Sequence, residues 1–247
     1  MIPYFEVISF HIGPITVYTW GAFVALGLII SGSLVLKAAA AKNFKVEPVF
    51  DIILISIIFG FIGARIGYVA AYWPYYLANP GDIVKIWQGG LGFVPGLIAA
   101  VSADIYYIKK NGLNLAQIAD LFAPYLALGY GIARIGCFLI HDHLGKITNV
   151  PWAIAIEGKG YHDAGLYGII NGLTLFIFLM IIRKYVKRDG LLATIGLLYY
   201  SIVRFIIELF QTGPYLAGIT YTGWIVFFLG LWALLFILDL KKRGGSV

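Results

Sequence analysis

The chain has 247 residues and a mass of 27.2 kDa, a length that ordinarily means one or two water-soluble domains. Composition excludes that reading. Apolar residues make up 61% of the chain, charged residues only 12%, and mean hydropathy is +0.89, while a soluble domain carries about 25% charged residues. A soluble fold of this size cannot hide so much apolar surface, so the chain is read as an integral membrane protein. The net charge of +6 is then a matter of topology and anionic lipid heads, with no call for nucleic acid.

In chain order, Met1 to Phe10 carries Glu6 and no basic cluster, so no cleavable signal peptide is expected. About 20 apolar residues of helix cross the hydrocarbon core. Seven such runs follow, at 15–36, 48–72, 89–107, 115–140, 166–182, 191–210 and 222–240. The alternating ten-residue segments of a barrel are absent. The expected architecture is therefore an all-α polytopic protein of seven transmembrane helices, one integral membrane domain over 1–247, with a long loop at 141–165.

Basic residues orient it. Lys37, Lys42 and Lys45 follow the first run, Lys109 and Lys110 the third, Arg183, Lys184, Lys187 and Arg188 the fifth, and Lys241, Lys242 and Arg243 the seventh. These are twelve of the eighteen basic residues, all on one side. Lys85, Lys146 and Lys159 lie on the other. By the positive-inside rule the N-terminus faces out and the C-terminus is cytoplasmic.

Arg65, Arg134 and Arg204 remain, inside the second, fourth and sixth runs. At 1.5 Å per residue each lies roughly 20–28 Å along its helix, in the outer half of the membrane. An arginine within a span costs several kcal/mol unless it meets a partner, a cavity or an anion. Any one of them could snorkel or pair with a carboxylate, and Glu208 stands one turn beyond Arg204. Three at one depth suggest an anion site. The tetrapeptide Ala-Arg-Ile-Gly occurs at Arg65 and again at Arg134 and Gly136, and small residues let membrane helices approach closely. Coincidence in an Ala/Ile/Gly-rich chain is the plainer account of that echo.

The four histidines, His11, His141, His143 and His162, fall in outward segments or at their edges. The 141–165 loop carries His141-Asp142-His143, Glu157 and Asp163. A His-x-His pair beside a carboxylate could bind metal, but no further ligand set is obvious, and neither metal nor cofactor is expected. Trp73, Tyr75, Tyr76 and Trp87 read as an interfacial belt. No phosphate-binding glycine loop or Gly-x-Ser-x-Gly elbow occurs. Cys137, the one cysteine, reads as a small packing residue.

Several blocks then carry a resemblance. Asp120-Leu-Phe-Ala-Pro runs on through Arg134-Ile-Gly136-Cys-Phe-Leu to Gly145-Lys-Ile-Thr-Asn-Val-Pro-Trp152. His11-Ile-Gly-Pro-Ile lies before the first run, Trp87-Gln-Gly-Gly-Leu-Gly-Phe at the third, His162-Asp-Ala-Gly-Leu-Tyr167 ahead of the fifth, and Val203-Arg204-Phe-Ile-Ile-Glu208 in the sixth. In this order they resemble the prolipoprotein diacylglyceryl transferases, over nearly the whole chain.

The resemblance implies a bacterial inner-membrane enzyme moving the diacylglyceryl group of phosphatidylglycerol to the lipobox cysteine of prolipoproteins at the outer leaflet, with glycerol phosphate leaving. It implies catalytic roles for Arg134 and Arg204, with Glu208 orienting Arg204. Substrate contacts would come from Arg65, Trp20, Asp120, Gly136, His141, Asp142, His143, His162 and Tyr167. The chain departs from the family pattern in places. Phe93 is followed by Val94-Pro95-Gly96 where His-Gly-Gly is usual, Cys137 replaces an Asn, Ile140-His141-Asp142 replaces Asn-Gly-Glu, and Trp20 stands where Tyr is common. A catalytically lapsed member, or a transporter gripping anionic phospholipid, are the competing readings. A transporter would show inverted repeats and broken helices near the midplane, and the Arg65/Arg134 echo is parallel and off-centre.

Overall fold

A computed structural model describes residues 1–86 and 89–242; Trp87, Gln88 and Arg243 lie outside the described residues. Helices dominate: α1 (Thr19–Ala41), α2 (Val46–Ala71), α3 (Trp73–Ala78), α4 (Phe93–Lys110), α5 (Leu115–Ile140), α6 (Ala164–Ile182), α7 (Leu191–Glu208) and α8 (Tyr221–Lys242). Six of them, α1, α2, α5, α6, α7 and α8, are long and apolar enough to cross a membrane. α4 has 18 residues but includes Asp104, Lys109 and Lys110, and it does not reach that apolarity.

Helix ends follow from capping chemistry. Asn114 Oδ1 accepts from the backbone N–H of Ala116 at 2.9 Å and starts α5, and Asp163 Oδ1 accepts from Leu166 at 3.0 Å and starts α6. Such caps satisfy donors that the first turn leaves unpaired.

Strands enter where helix alone was expected. β1 (Ile2–Pro3), β5 (Ile154–Ile156), β6 (Lys159–Asp163) and β4 (Leu144–Ile147) form a sheet in the order β1-β5-β6-β4. The 141–165 segment is thus largely a sheet, with the N-terminus added parallel to β5. β2 (Ser9–Ile12) pairs antiparallel with β3 (Ile15–Tyr18), so the first helix begins at Thr19 and not at Ile15. β-branched Ile15, Thr16 and Val17 suit that pairing. β7 (Tyr215–Leu216) and β8 (Ile219–Thr220) close a tight hairpin over Ala217 and Gly218, both at positive φ.

The chain divides into two units. In the unit of residues 36–118, α2 and α4 pack closely. A Cβ on Gly96 would come within 2.8 Å of the Gly60 carbonyl oxygen, so only glycine permits that approach. Ser56 donates to Asp104 at 2.6 Å across the pair.

The other unit holds residues 1–35 and 119–247. α5 packs against α1 where a Cβ on Gly27 would lie 2.8 Å from the Gly129 carbonyl oxygen. Ala127, Leu175, Leu179 and Leu192 form an apolar core between α5, α6 and α7.

Candidate functional site

Arg134 lies two turns before the end of α5, in the unit of residues 1–35 and 119–247. Its guanidinium sits 5.0 Å from the centre of the Tyr130 ring and donates to Cys137 Sγ at 3.7 Å. Room for the side chain comes from α6, since a Cβ on Gly168 would fall 2.7 Å from Arg134 Cγ. Tyr130 meets Tyr200 of α7 edge-to-face, with ring centres 5.6 Å apart. Tyr200, one turn before Arg204, lies within electrostatic reach of Arg134, Arg204 and Glu208 alike. Arg134 of α5 stacks on this tyrosine pair, and Arg204 of α7 lies near its Tyr200 member.

On α7, Arg204 Nη2 pairs with Glu208 Oε1. Glu208 Oε2 accepts from Thr220 Oγ1 at 2.6 Å, and the same hydroxyl caps α8 by accepting from Gly223 at 2.9 Å. Glu208 is thus held from two sides and fixes one edge of the guanidinium. Arg204 Nη1 is buried with no hydrogen-bond partner among the described residues. Beside the pair is a cavity of about 200 Å³, with His143, Gln211, Thr220 and Thr222 in its wall. A buried, partly unpaired guanidinium beside a polar cavity is ready for an anion, because burial strengthens the attraction and a planar fork fits phosphate oxygens.

After α5 the chain turns back at His141, whose φ is +48°. His141 Nδ1 meets Asp163 Oδ2 at 2.6 Å, both side chains fully enclosed, with Tyr4, Phe5 and Phe138 around the ring. Asp142 and His143 are exposed by contrast. Desolvation pushes the Asp142 carboxyl above its ordinary range, and His143 and Arg134 pull it down.

His162 Nδ1 lies 2.6 Å from the Tyr167 hydroxyl, which accepts from Trp152 Nε1 at 3.0 Å. The hydroxyl therefore donates to His162. Burial pushes His162 below its ordinary value. The sheet is tied to the end of α7: Lys146 donates through its backbone N–H to Phe210 and through Nζ to Leu209, each at 2.8 Å. Gly145 packs directly on the Phe210 carbonyl.

The remaining site candidates take other positions. In the unit of residues 36–118, Arg65 donates to the carbonyls of Asp82, Ile83, Gly89 and Gly90 at 2.6–2.9 Å. It lies against Tyr76 at the edge of a cavity of about 370 Å³ lined by Tyr68, Tyr72 and Tyr75. All three of its nitrogens are engaged by backbone. In the larger unit, both oxygens of Asp120 accept backbone N–H groups, from Gly190 at 2.7 Å and Ala193 at 2.8 Å, and so start α7. Trp20 is 45% exposed in the first turn of α1, and a Cβ on Gly136 would fall 3.0 Å from its Cα.

Three residues of the site escape sequence reasoning: Tyr130, Tyr200 and Thr220. Tyr130 and Tyr200 each precede an arginine by four residues, which places them on its helix face. Thr220 precedes the last apolar run in a capping position.

A sequence profile described as prolipoprotein diacylglyceryl transferase matches residues 7–238. A phosphatidylglycerol–prolipoprotein diacylglyceryl transferase of Staphylococcus aureus strain MRSA252 is 37% identical over 221 residues, covering 85% of this chain and 79% of the relative. The protein of the same name from strain MSSA476 is 36% identical over the same extent.

Proposed function

The chain belongs to the prolipoprotein diacylglyceryl transferase family, and from that membership we propose how its residues carry out the transfer. It is a multi-pass membrane transferase of lipoprotein biosynthesis that moves the diacylglyceryl group of phosphatidylglycerol to prolipoproteins. The acceptor is the lipobox cysteine. Its sulfur attacks the glyceryl methylene carbon, an S–C bond forms, and the C–O bond to phosphate breaks. The electron pair leaves with glycerol phosphate, and the thiol proton passes to a base or to the departing group.

The observation that carries this reading is Arg204 Nη1, buried beside a polar cavity with no hydrogen-bond partner among the described residues, with Arg134 near Tyr200, the tyrosine one turn before Arg204. Two guanidinium groups hold the phosphodiester and stabilise the charge that grows as glycerol phosphate leaves. Glu208, fixed by Thr220, orients Arg204. Gly136 keeps Trp20 close to α5. His141 and Asp163 support the turn that presents Asp142 and His143, while His162 and Tyr167 hold the sheet where the peptide enters. Arg65 and Asp120 serve architecture in this reading, since carbonyls and backbone N–H groups already engage them.

All of 1–247 acts as one integral membrane domain of seven spans, α4 being the least apolar. The N-terminus faces out of the bacterial inner membrane and the C-terminus lies in the cytoplasm. Support comes from the twelve basic residues gathered on one side. The test is incubation of the purified protein with phosphatidylglycerol vesicles and a lipobox peptide. The peptide should gain the mass of one diacylglyceryl group. An unmodified peptide in the presence of bound phosphatidylglycerol would leave a lipid-binding protein that has lost catalysis.

A further inference from the structure

We propose that Cys137, Asp142 and His143 form a three-ligand site for a divalent metal ion, zinc by the nature of its donors, with an open position that takes the acceptor cysteine. The site itself stands on geometry. Its use in transfer rests on the transferase reading above.

One thiol, one carboxylate oxygen and one imidazole nitrogen lie within 4.8 Å of one another here. In a tetrahedral zinc site with bonds of about 2.0–2.3 Å, neighbouring ligand atoms stand about 3.3–3.8 Å apart. His143 Nε2 and Asp142 Oδ2 are already 3.7 Å apart. Small side-chain rotations of two exposed residues bring the set to metal distance. The chain achieves the juxtaposition through His141, whose left-handed backbone ends α5 and folds residues 142 and 143 back toward Cys137.

His143 is also oriented for the task. Its Nδ1 donates to the Asp142 carbonyl oxygen at 2.9 Å. That fixes the tautomer and leaves the Nε2 lone pair free, the usual arrangement for a metal-bound histidine. Cys137 is buried, and Arg134 Nη1 donates to its sulfur, as outer donors do to a metal-bound thiolate. Charge balances: one thiolate and one carboxylate neutralise a divalent ion, so Arg134 faces no net repulsion. Exposed Asp142 and His143 give the ion an entry path.

Three protein ligands of mixed N, O and S type with one open position is the catalytic form of a zinc site. A thiol entering that position loses its proton on coordination, and the proton leaves to water. The zinc-held sulfur then attacks the methylene carbon, forming S–C as C–O breaks toward Arg134 and Arg204. The thioether product is a weak ligand and departs. No electrons are exchanged with any other reactant. Cys137 itself is unsuited as a covalent carrier, because a diacylglyceryl thioether on it would have no good leaving group.

The test uses full-length protein in detergent, purified without a histidine tag, stripped with a chelator and reloaded with Zn²⁺ alone. Metal content should reach about one ion per chain, and Co²⁺ in its place should give a thiolate-to-cobalt absorption band. His143→Ala, at an exposed position, should weaken binding roughly 100-fold, with the melting temperature of the stripped protein unchanged. Cys137→Ser should abolish the cobalt band. Absence of stoichiometric metal, or equal binding by both variants, overturns the site. Transfer should fall on stripping and return with zinc; full transfer by stripped protein overturns the catalytic use. Metal bound normally with no transfer in any state would support the site and sink the transferase reading instead.

Discussion

Arg204 and Glu208 stand one turn apart on α7, and their ion pair engages Nη2 while Nη1 stays buried with no hydrogen-bond partner among the described residues. A side chain held at one edge and free at the other is positioned to grip a phosphate oxygen. Arg204→Lys should therefore be nearly as damaging as Arg204→Ala, each lowering transfer by about 100-fold or more. One ammonium can satisfy Glu208 or the phosphate, without the fork that reaches both. Transfer rates measured at equal membrane yield decide this, and a near-wild-type lysine variant would reduce Arg204 to a counter-charge for Glu208.

Thr220 holds Glu208 Oε2 and caps α8 with one hydroxyl. Thr220→Val keeps the volume and removes both bonds. The expected loss is about 1–3 kcal/mol of stability, from the stranded carboxylate oxygen and the lost cap. Transfer should drop less than in Glu208→Ala. Thermal unfolding in detergent, read beside the assay, separates the effects, and an unchanged melting temperature would mean that water replaces the hydroxyl.

The His162–Tyr167–Trp152 chain gives a pH dependence of definite sign. Burial lowers the His162 pKa in the folded state, so the unfolded chain binds the proton more readily. The contribution to stability is complete above about pH 6.5, the unperturbed value, and is lost as pH falls through the window below it. Protonation also removes the acceptor of the Tyr167 hydroxyl. Melting temperatures at about pH 7.5 and 5.5 should converge in His162→Gln relative to wild type. An identical pH slope in both proteins would remove His162 from the account.

Sequence pattern located the helices well where local chemistry ends them. α5 occupies the expected 115–140, and α6 and α7 begin within two residues of expectation because Asp163 and Asp120 cap them. Hydropathy failed at Ile15–Tyr18, where an apolar β-hairpin strand looks like the start of a span. It also missed the sheet in 141–165, since the parallel pairing of Ile2 with Ile154 is a contact across the chain with no local signature. The site shows the same division. The Arg204–Glu208 pair follows from helical spacing. The engagement of Arg65 by backbone carbonyls between Asp82 and Gly90 does not, and neither does the contrast between enclosed His141 and exposed His143 two residues on.

An orientation test needs only thiol placement, because the native Cys137 is buried. A cysteine introduced at Lys159, exposed at the start of β6, should react with an impermeant reagent added outside the cell. One at Arg188, just before α7, should react only after permeabilisation. The reverse pattern would place the C-terminus outside and move the arginine site to the other leaflet.

Arg134 admits the sharpest test, because its position depends on the absence of a side chain across the helix interface. Arg134→Ala removes a charged contact from the proposed phosphate site and should cut transfer about 100-fold or more, on the order of 3 kcal/mol of transition-state stabilisation. Insertion and purification should be unaffected, since truncating Arg134 leaves the glycine contacts of α5 in place. Gly168→Ala leaves Arg134 chemically intact but puts a methyl group 2.7 Å from its Cγ, where something must shift. The guanidinium is then displaced from Tyr130, and misplacing a positioned group by about 1 Å costs on the order of 100-fold. Both variants should thus fall together in transfer while melting temperatures differ, Gly168→Ala being the less stable through overpacking. Making both changes at once should add little to the loss from Arg134→Ala, because the two act through one side chain. Full activity in Arg134→Ala would end its catalytic assignment, and losses that multiply in the double variant would show that Gly168 acts on something other than Arg134.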